Sequence, residues 1–129
     1  MQIRVTRVEQ RHGGDCFVHF ETPHGQAVGR WAGQRPVEGA RYVVDVEVAE
    51  CLSVGRTLLT IPPNGSAKVT SSNANTILIQ GIVERAWPEG VLSLRVGRTL
   101  IDVEADQLID EGKWVLAECR EIRLYDREI

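Results

Sequence analysis

The chain has 129 residues, enough for one ordinary domain or two very small ones, and its 43% hydrophobic and 26% charged residues suit a soluble globular protein. No apolar run approaches the length of a membrane span, which argues against a membrane protein. The net charge is −3; through residue 62 seven arginines face seven acids, so the second half carries the deficit and the broad basic footprint usual in nucleic-acid binders is missing.

The first half opens directly in a strand pattern, Ile3, Val5 and Val8, with no apolar leader before it, and a cytoplasmic location is expected. Gly13-Gly14-Asp15 breaks that strand. Cys16, Val18 and Phe20 then alternate with Phe17, His19 and Glu21, the period of a half-buried strand. Pro23-His24-Gly25 turns the chain and 26–31 returns it, before an irregular loop over 32–39 holding Gly33 and Pro36. From Tyr42 to Val54 the even positions are apolar except Glu50, which reads as one long strand bent at a bulge near Glu50. Gly55-Arg56 is then expected to turn the chain so that 57–61 pairs back.

Residues 63–75 are polar, rich in turn formers and poor in apolar side chains, and read as a linker or long loop. Beyond them, 77–87 is a strand closed by Pro88-Glu89-Gly90. The next two strands flank Gly97-Arg98. Glycine at the first central position suits a two-residue type II′ turn, where that residue has φ > 0. The turn pairs Val96 with Thr99, Leu94 with Ile101 and Leu92 with Val103, which puts five apolar side chains on one face. Residues 105–111, closed by Gly112, are expected to form one or two helical turns, and 114–124 a last strand. Strand, hairpin, short helix, strand is most of an OB-fold barrel, whose helix lies between its third and fourth strands.

Two internal echoes occur. Val54-Gly55-Arg56-Thr57-Leu58 recurs 42 residues later from Val96, and Ala32, Gln34, Glu38 and Gly39 match Ala105, Gln107, Glu111 and Gly112 at a shift of 73. The second echo keeps the order of elements. It predicts an all-β chain of two small OB-like barrel modules, 1–62 and 76–129, arisen by internal duplication, with one short helix in the second.

Ile79-Gln80-Gly81-Ile82-Val83, the hairpin, Leu108-x-x-x-Gly112-x-x-Val115 and Ile122-Arg123-Leu124-Tyr125 together resemble the transport-associated OB domains, which include the molybdate-binding MOP type. The resemblance covers about fifty residues. It implies paired OB-like barrels that bind small oxyanions or act as regulatory appendages. Oxyanion-binding members carry a short Ser/Arg/Asn segment at the module start; Thr70-Ser71-Ser72-Asn73 is similar but lacks the basic residue.

Chemistry finds little support in the chain. His12, His19 and His24 cluster with Asp15 and Cys16, yet the strand between the turns separates His12 from His24 by roughly 25 Å, whereas metal ligands converge within about 2–2.3 Å of one ion. Cys16, Cys51 and Cys119 form no CxxC and read as free thiols. Nucleophile and dinucleotide motifs are missing, and Asp45 and Glu47 read as a solvated strand face. Neither an enzyme nor a cofactor or metal site is expected. A protein-interaction or regulatory module remains, its acidic second half suited to a basic partner. The alternatives are a single-stranded nucleic-acid binder and a small-oxyanion module. The candidate surface for stacking bases is Phe17, His19, Arg30 and Trp31, with Trp87 in the second module.

Overall fold

The structure, a computed structural model, describes residues 1–63, 65–72 and 75–127. Its strands in chain order are β1 (Gln2–Gln10), β2 (Cys16–Thr22), β3 (Gly25–Ala32), β4 (Arg41–Val48), β5 (Cys51–Leu52), β6 (Leu58–Ile61), β7 (Lys68–Ser72), β8 (Thr76–Trp87), β9 (Val91–Val96), β10 (Thr99–Ala105), β11 (Trp114–Cys119) and β12 (Ile122–Asp126). The chain is all-β, as expected; among the described residues the one helical element is a 3₁₀ turn at His12–Gly14.

The first barrel is closed, in the order β1-β2-β3-β12-β4 and back to β1. Its neighbours are antiparallel except β3 and β12, which run parallel with Trp31 beside Leu124. The second sheet runs β5-β10-β9-β8-β11-β6, with β7 on β8 and the pair β5–β10 parallel, Leu52 beside Ala105. Alternation explains the core. Val18 and Phe20 point in while Phe17, His19 and Glu21 point out; Leu92, Leu94, Val96, Ile101 and Val103 are all sealed from solvent. One continuous apolar cluster joins both sheets.

Sheet membership cuts across the boundary drawn at 63–75. The strand that closes the first barrel is β12, from the far end of the chain, and β5 and β6, from before the expected linker, belong to the second sheet. The chain changes sheet twice, each time through two residues: Ala49-Glu50 between β4 and β5, and Arg120-Glu121 between β11 and β12. The Glu50 carboxylate accepts the Arg120 backbone N–H, so the two crossings are tied to each other. The apolar run of even positions from Tyr42 to Val54 is therefore not one bent strand but two strands in two sheets. Nor does Gly55-Arg56 make a hairpin: β5 is paired to β10 and β6 to β11, so 57–61 does not pair back on 51–54 as a ladder. Lys68–Ser72, expected in a connector, is a strand; Asn64, Asn73 and Ala74 of that stretch lie outside the described residues.

The hairpin of β9 and β10 has the register derived from its turn, Val96 with Thr99, Leu94 with Ile101 and Leu92 with Val103. Gly97 has φ 63°. The short helix expected over 105–111 is absent. Asp106 instead accepts from the Val54 N–H (2.9 Å) and the Ser53 hydroxyl (3.2 Å), Glu111 Oε1 accepts the Ala86 N–H (3.3 Å), and the Gly112 N–H donates to Val83 O (2.8 Å). Groups that a helix would need for its own ends are spent on neighbouring strands, so the segment stays a loop. The loop over 32–39 does the same: Glu38 Oε1 accepts the Val8 N–H (2.9 Å) and the Gly39 N–H donates to Val5 O (2.7 Å). Both β1 and β8 also break register at corresponding places, after Val5 and after Val83.

Candidate binding surfaces

Phe17, His19 and Arg30 share the outer face of β2 and β3, with Phe17 directly opposite Arg30. Their charges are spent locally. The Arg11 guanidinium lies 3.9 Å over the Phe17 ring centroid, and His19 Nε2 meets Glu9 Oε2 at 3.1 Å. The His19 and Arg11 hydrogen bonds hold the Glu9 carboxyl below its ordinary pKa. Arg30 bonds Asp15 Oδ1 at 2.6 Å and faces Glu121 at 3.8 Å. Beyond it Arg123 faces Glu47 and Arg127 holds Asp45. An ion-pair ladder runs across this side of the barrel, with no run of free cations to track a phosphate backbone.

Trp31 does not join that surface. It is 6% exposed, its ring packs edge-on to Tyr42 with centroids 5.0 Å apart, and its Nε1 donates to Gln34 O. Arg30 and Trp31 are neighbours in a strand, so once Arg30 faces out Trp31 must face the core.

Trp87 stands apart, at the far end of β8. It is 37% exposed, and its Nε1 donates to Ser93 Oγ (3.2 Å), whose hydroxyl donates to Asp102 Oδ1 (2.6 Å). The indole thereby covers Ser93, which parity alone placed in solvent and which is 7% exposed. Arg85 lies 4.9 Å over the ring. At the same end, where Gly90 O accepts the Ala105 N–H, Glu89 and Glu104 are exposed, and the loop after β10 exposes Leu108 and Asp110. The three residues Trp87, Ser93 and Asp102 sit on three successive strands, and only the sheet brings them together.

Where β7 leans on the first barrel, the Ser71 hydroxyl accepts the Val28 N–H (3.0 Å). Beside it is a cavity of about 90 Å³ lined by Arg11, Phe17, Ser71, Thr76 and Arg120, among others. Of its two arginines, Arg120 comes from the second crossing and Arg11 from just past the end of β1. No signal along the sequence links these positions.

Among the described residues no three His, Cys, Asp or Glu side chains converge as metal ligands, and no helix is long and apolar enough to cross a membrane. All three cysteines are free. Burial, helped by the Glu50 and Glu118 charges, pushes the Cys119 thiol up to about 12. Comparison with protein-family models, with curated proteins and with solved structures finds no match to the chain.

Proposed function

We propose that the chain is a non-catalytic, cytoplasmic protein-interaction module built from two OB-type barrels that arose by duplication, and that the Trp87 end of the second barrel docks a basic segment of a partner protein. The recurrence of the Glu38 and Gly39 hydrogen bonds at Glu111 and Gly112, and of a parallel strand pair at Trp31 and at Ala105, supports the duplication. One observation carries the function: an exposed indole held by Ser93 and, through it, Asp102, with Glu89 two residues further on and Glu104 across Val91 in the sheet. A rigid aromatic loses little entropy on binding, and tryptophan is the side chain most enriched among residues that dominate interface energies. The surrounding carboxylates would steer a cationic partner and set its orientation.

The test is titration with a labelled Lys/Arg-rich amphipathic peptide. Binding that falls with salt and is lost in Trp87→Ala supports the reading; equal binding by wild type and Trp87→Ala removes it. Single-stranded nucleic acid fits less well, because Arg11 and Arg30 are already paired with acids and Trp31 is in the core. Mixed-sequence oligonucleotides should bind more weakly than about 10⁻⁴ M at physiological salt.

A second reading rests on the cavity beside Ser71. Its charged and hydroxyl lining is Arg11, Arg120, Ser71 and Thr76 against a single acid, Glu121, and its volume of about 90 Å³ suits one small tetrahedral oxyanion. Calorimetry with molybdate or sulfate tests it. Heat of binding abolished by Arg120→Ala is the supporting result, and no heat with either anion ends it.

A further inference from the structure

Two cavities of about 750 and 770 Å³ adjoin at Gln2, Pro23 and Val43, where the first barrel meets the hairpin tip of the second sheet. Together they form one groove running from Arg4 and Arg41 to Arg98 and Arg127. Its charge is opposite to that of the chain. The chain carries −3 overall, yet the charged side chains lining the groove are these four arginines and a single acid, Glu21. Arg4 is held by Glu21 and Arg127 by Asp45. Arg41 and Arg98, one in each cavity, are exposed and make no ion pair with a described residue.

Between the two free arginines the lining is partly apolar. Pro23 and Val43 lie at the junction, and Leu100, 56% exposed, sits beside Arg98. A stacking platform for bases is missing from the lining: Tyr42 packs edge-on to Trp31 and its hydroxyl accepts the Val37 N–H, while His24 lies against Gly97. Carboxylates at two points with aliphatic side chains between them match this arrangement; phosphates with bases do not.

We propose that this groove binds an extended acidic segment of a partner protein, its carboxylates on Arg41 and Arg98 and an aliphatic side chain against Leu100. The site is independent of the one at Trp87. β10 runs from Thr99 at the groove to Ala105 at the Trp87 end, so roughly 20 Å of strand separates the two.

The experiment is fluorescence anisotropy of a fluorescein-labelled peptide alternating glutamate and valine, with a lysine-for-glutamate peptide and an oligothymidylate as competitors for comparison. The glutamate peptide should bind, and binding should weaken as salt shortens the range of the charges. Arg41→Glu with Arg98→Glu should weaken it by about tenfold or more. Leu100→Asp should weaken it too, and Trp87→Ala should leave it unchanged. Both arginines are solvent-exposed, so the variants stay folded, which circular dichroism checks; Arg41→Gln and Arg98→Gln, tested singly, give intermediate losses. Failure of the wild type to bind the glutamate peptide, tighter binding of the oligothymidylate, or wild-type affinity in the double variant would overturn the assignment.

Discussion

Replacing Gly97 by alanine tests the hairpin that organises the second sheet. Two costs add. At φ 63° an L-residue is strained, by about 1–2 kcal/mol. A Cβ at this position also falls on the His24 ring, with the nearest approach to Nε2. That ring is the end of a side chain, so it swings aside rather than forcing the backbone, at about 0.5–1.5 kcal/mol for an off-rotamer position. The total is about 1.5–3.5 kcal/mol. Gly55 separates the two costs, because it has φ 89° but nothing near its Cβ, so Gly55→Ala should lose only the strain. Urea unfolding of Gly97→Ala, Gly55→Ala and the double variant Gly97→Ala/His24→Ala provides the measurement. The double variant should recover the steric part and no more. A loss below about 0.5 kcal/mol in Gly97→Ala would refute both the turn geometry and the His24 contact.

Other outcomes follow from individual side chains. Ser93→Ala removes the acceptor of the Trp87 indole N–H, so the Trp87 side chain should become mobile, read as a shift and broadening of its indole resonance, with a stability loss of about 1 kcal/mol. Glu9 titrates below its ordinary value because His19 and Arg11 hydrogen-bond its charged form; its ion pairing fades as pH falls through that lowered pKa, and His19→Ala should move its carboxyl titration, followed by NMR, back up. Cys119 keeps its proton in the folded state up to about 12, whereas the unfolded chain loses it near 9.0, so this thiol lowers stability as pH rises through that window. In the native protein a thiol reagent should label Cys51, which is exposed, well before Cys119, as peptide mapping will show.

Some of this was legible in the sequence and some was not, for identifiable reasons. The hairpin was, because a two-residue turn with glycine at its first position fixes register locally and the period of two then assigns every face. The burial of Trp31 was also within reach, since a strand cannot turn adjacent residues to one side. Ser93 was not: its parity puts it outside, and only the indole of a residue six positions earlier covers it. The loop over 105–112 has a helix-like composition, but its fate depends on Val83, Ala86 and Val54, which sequence proximity does not reveal. The two sheet changes were hidden most deeply. Alternation from Tyr42 to Val54 tells which side chains turn inward, not which of two cores they turn toward.

The placement of β12 has a consequence for the order of events on the ribosome. β1 to β4 are complete once residue 48 has been made, yet the strand between β3 and β4 ends at residue 126. At about 5–20 residues per second, the intervening 78 residues (126 − 48) take about 4–16 s to synthesise. Throughout that interval the nascent sheet has two open edges and presents Trp31 and Val48 without the Leu124 and Ile122 that pair beside them. Unpaired edges of this kind recruit foreign strands. The nascent chain is therefore expected to lean on a chaperone until β12 emerges to fill the gap between β3 and β4.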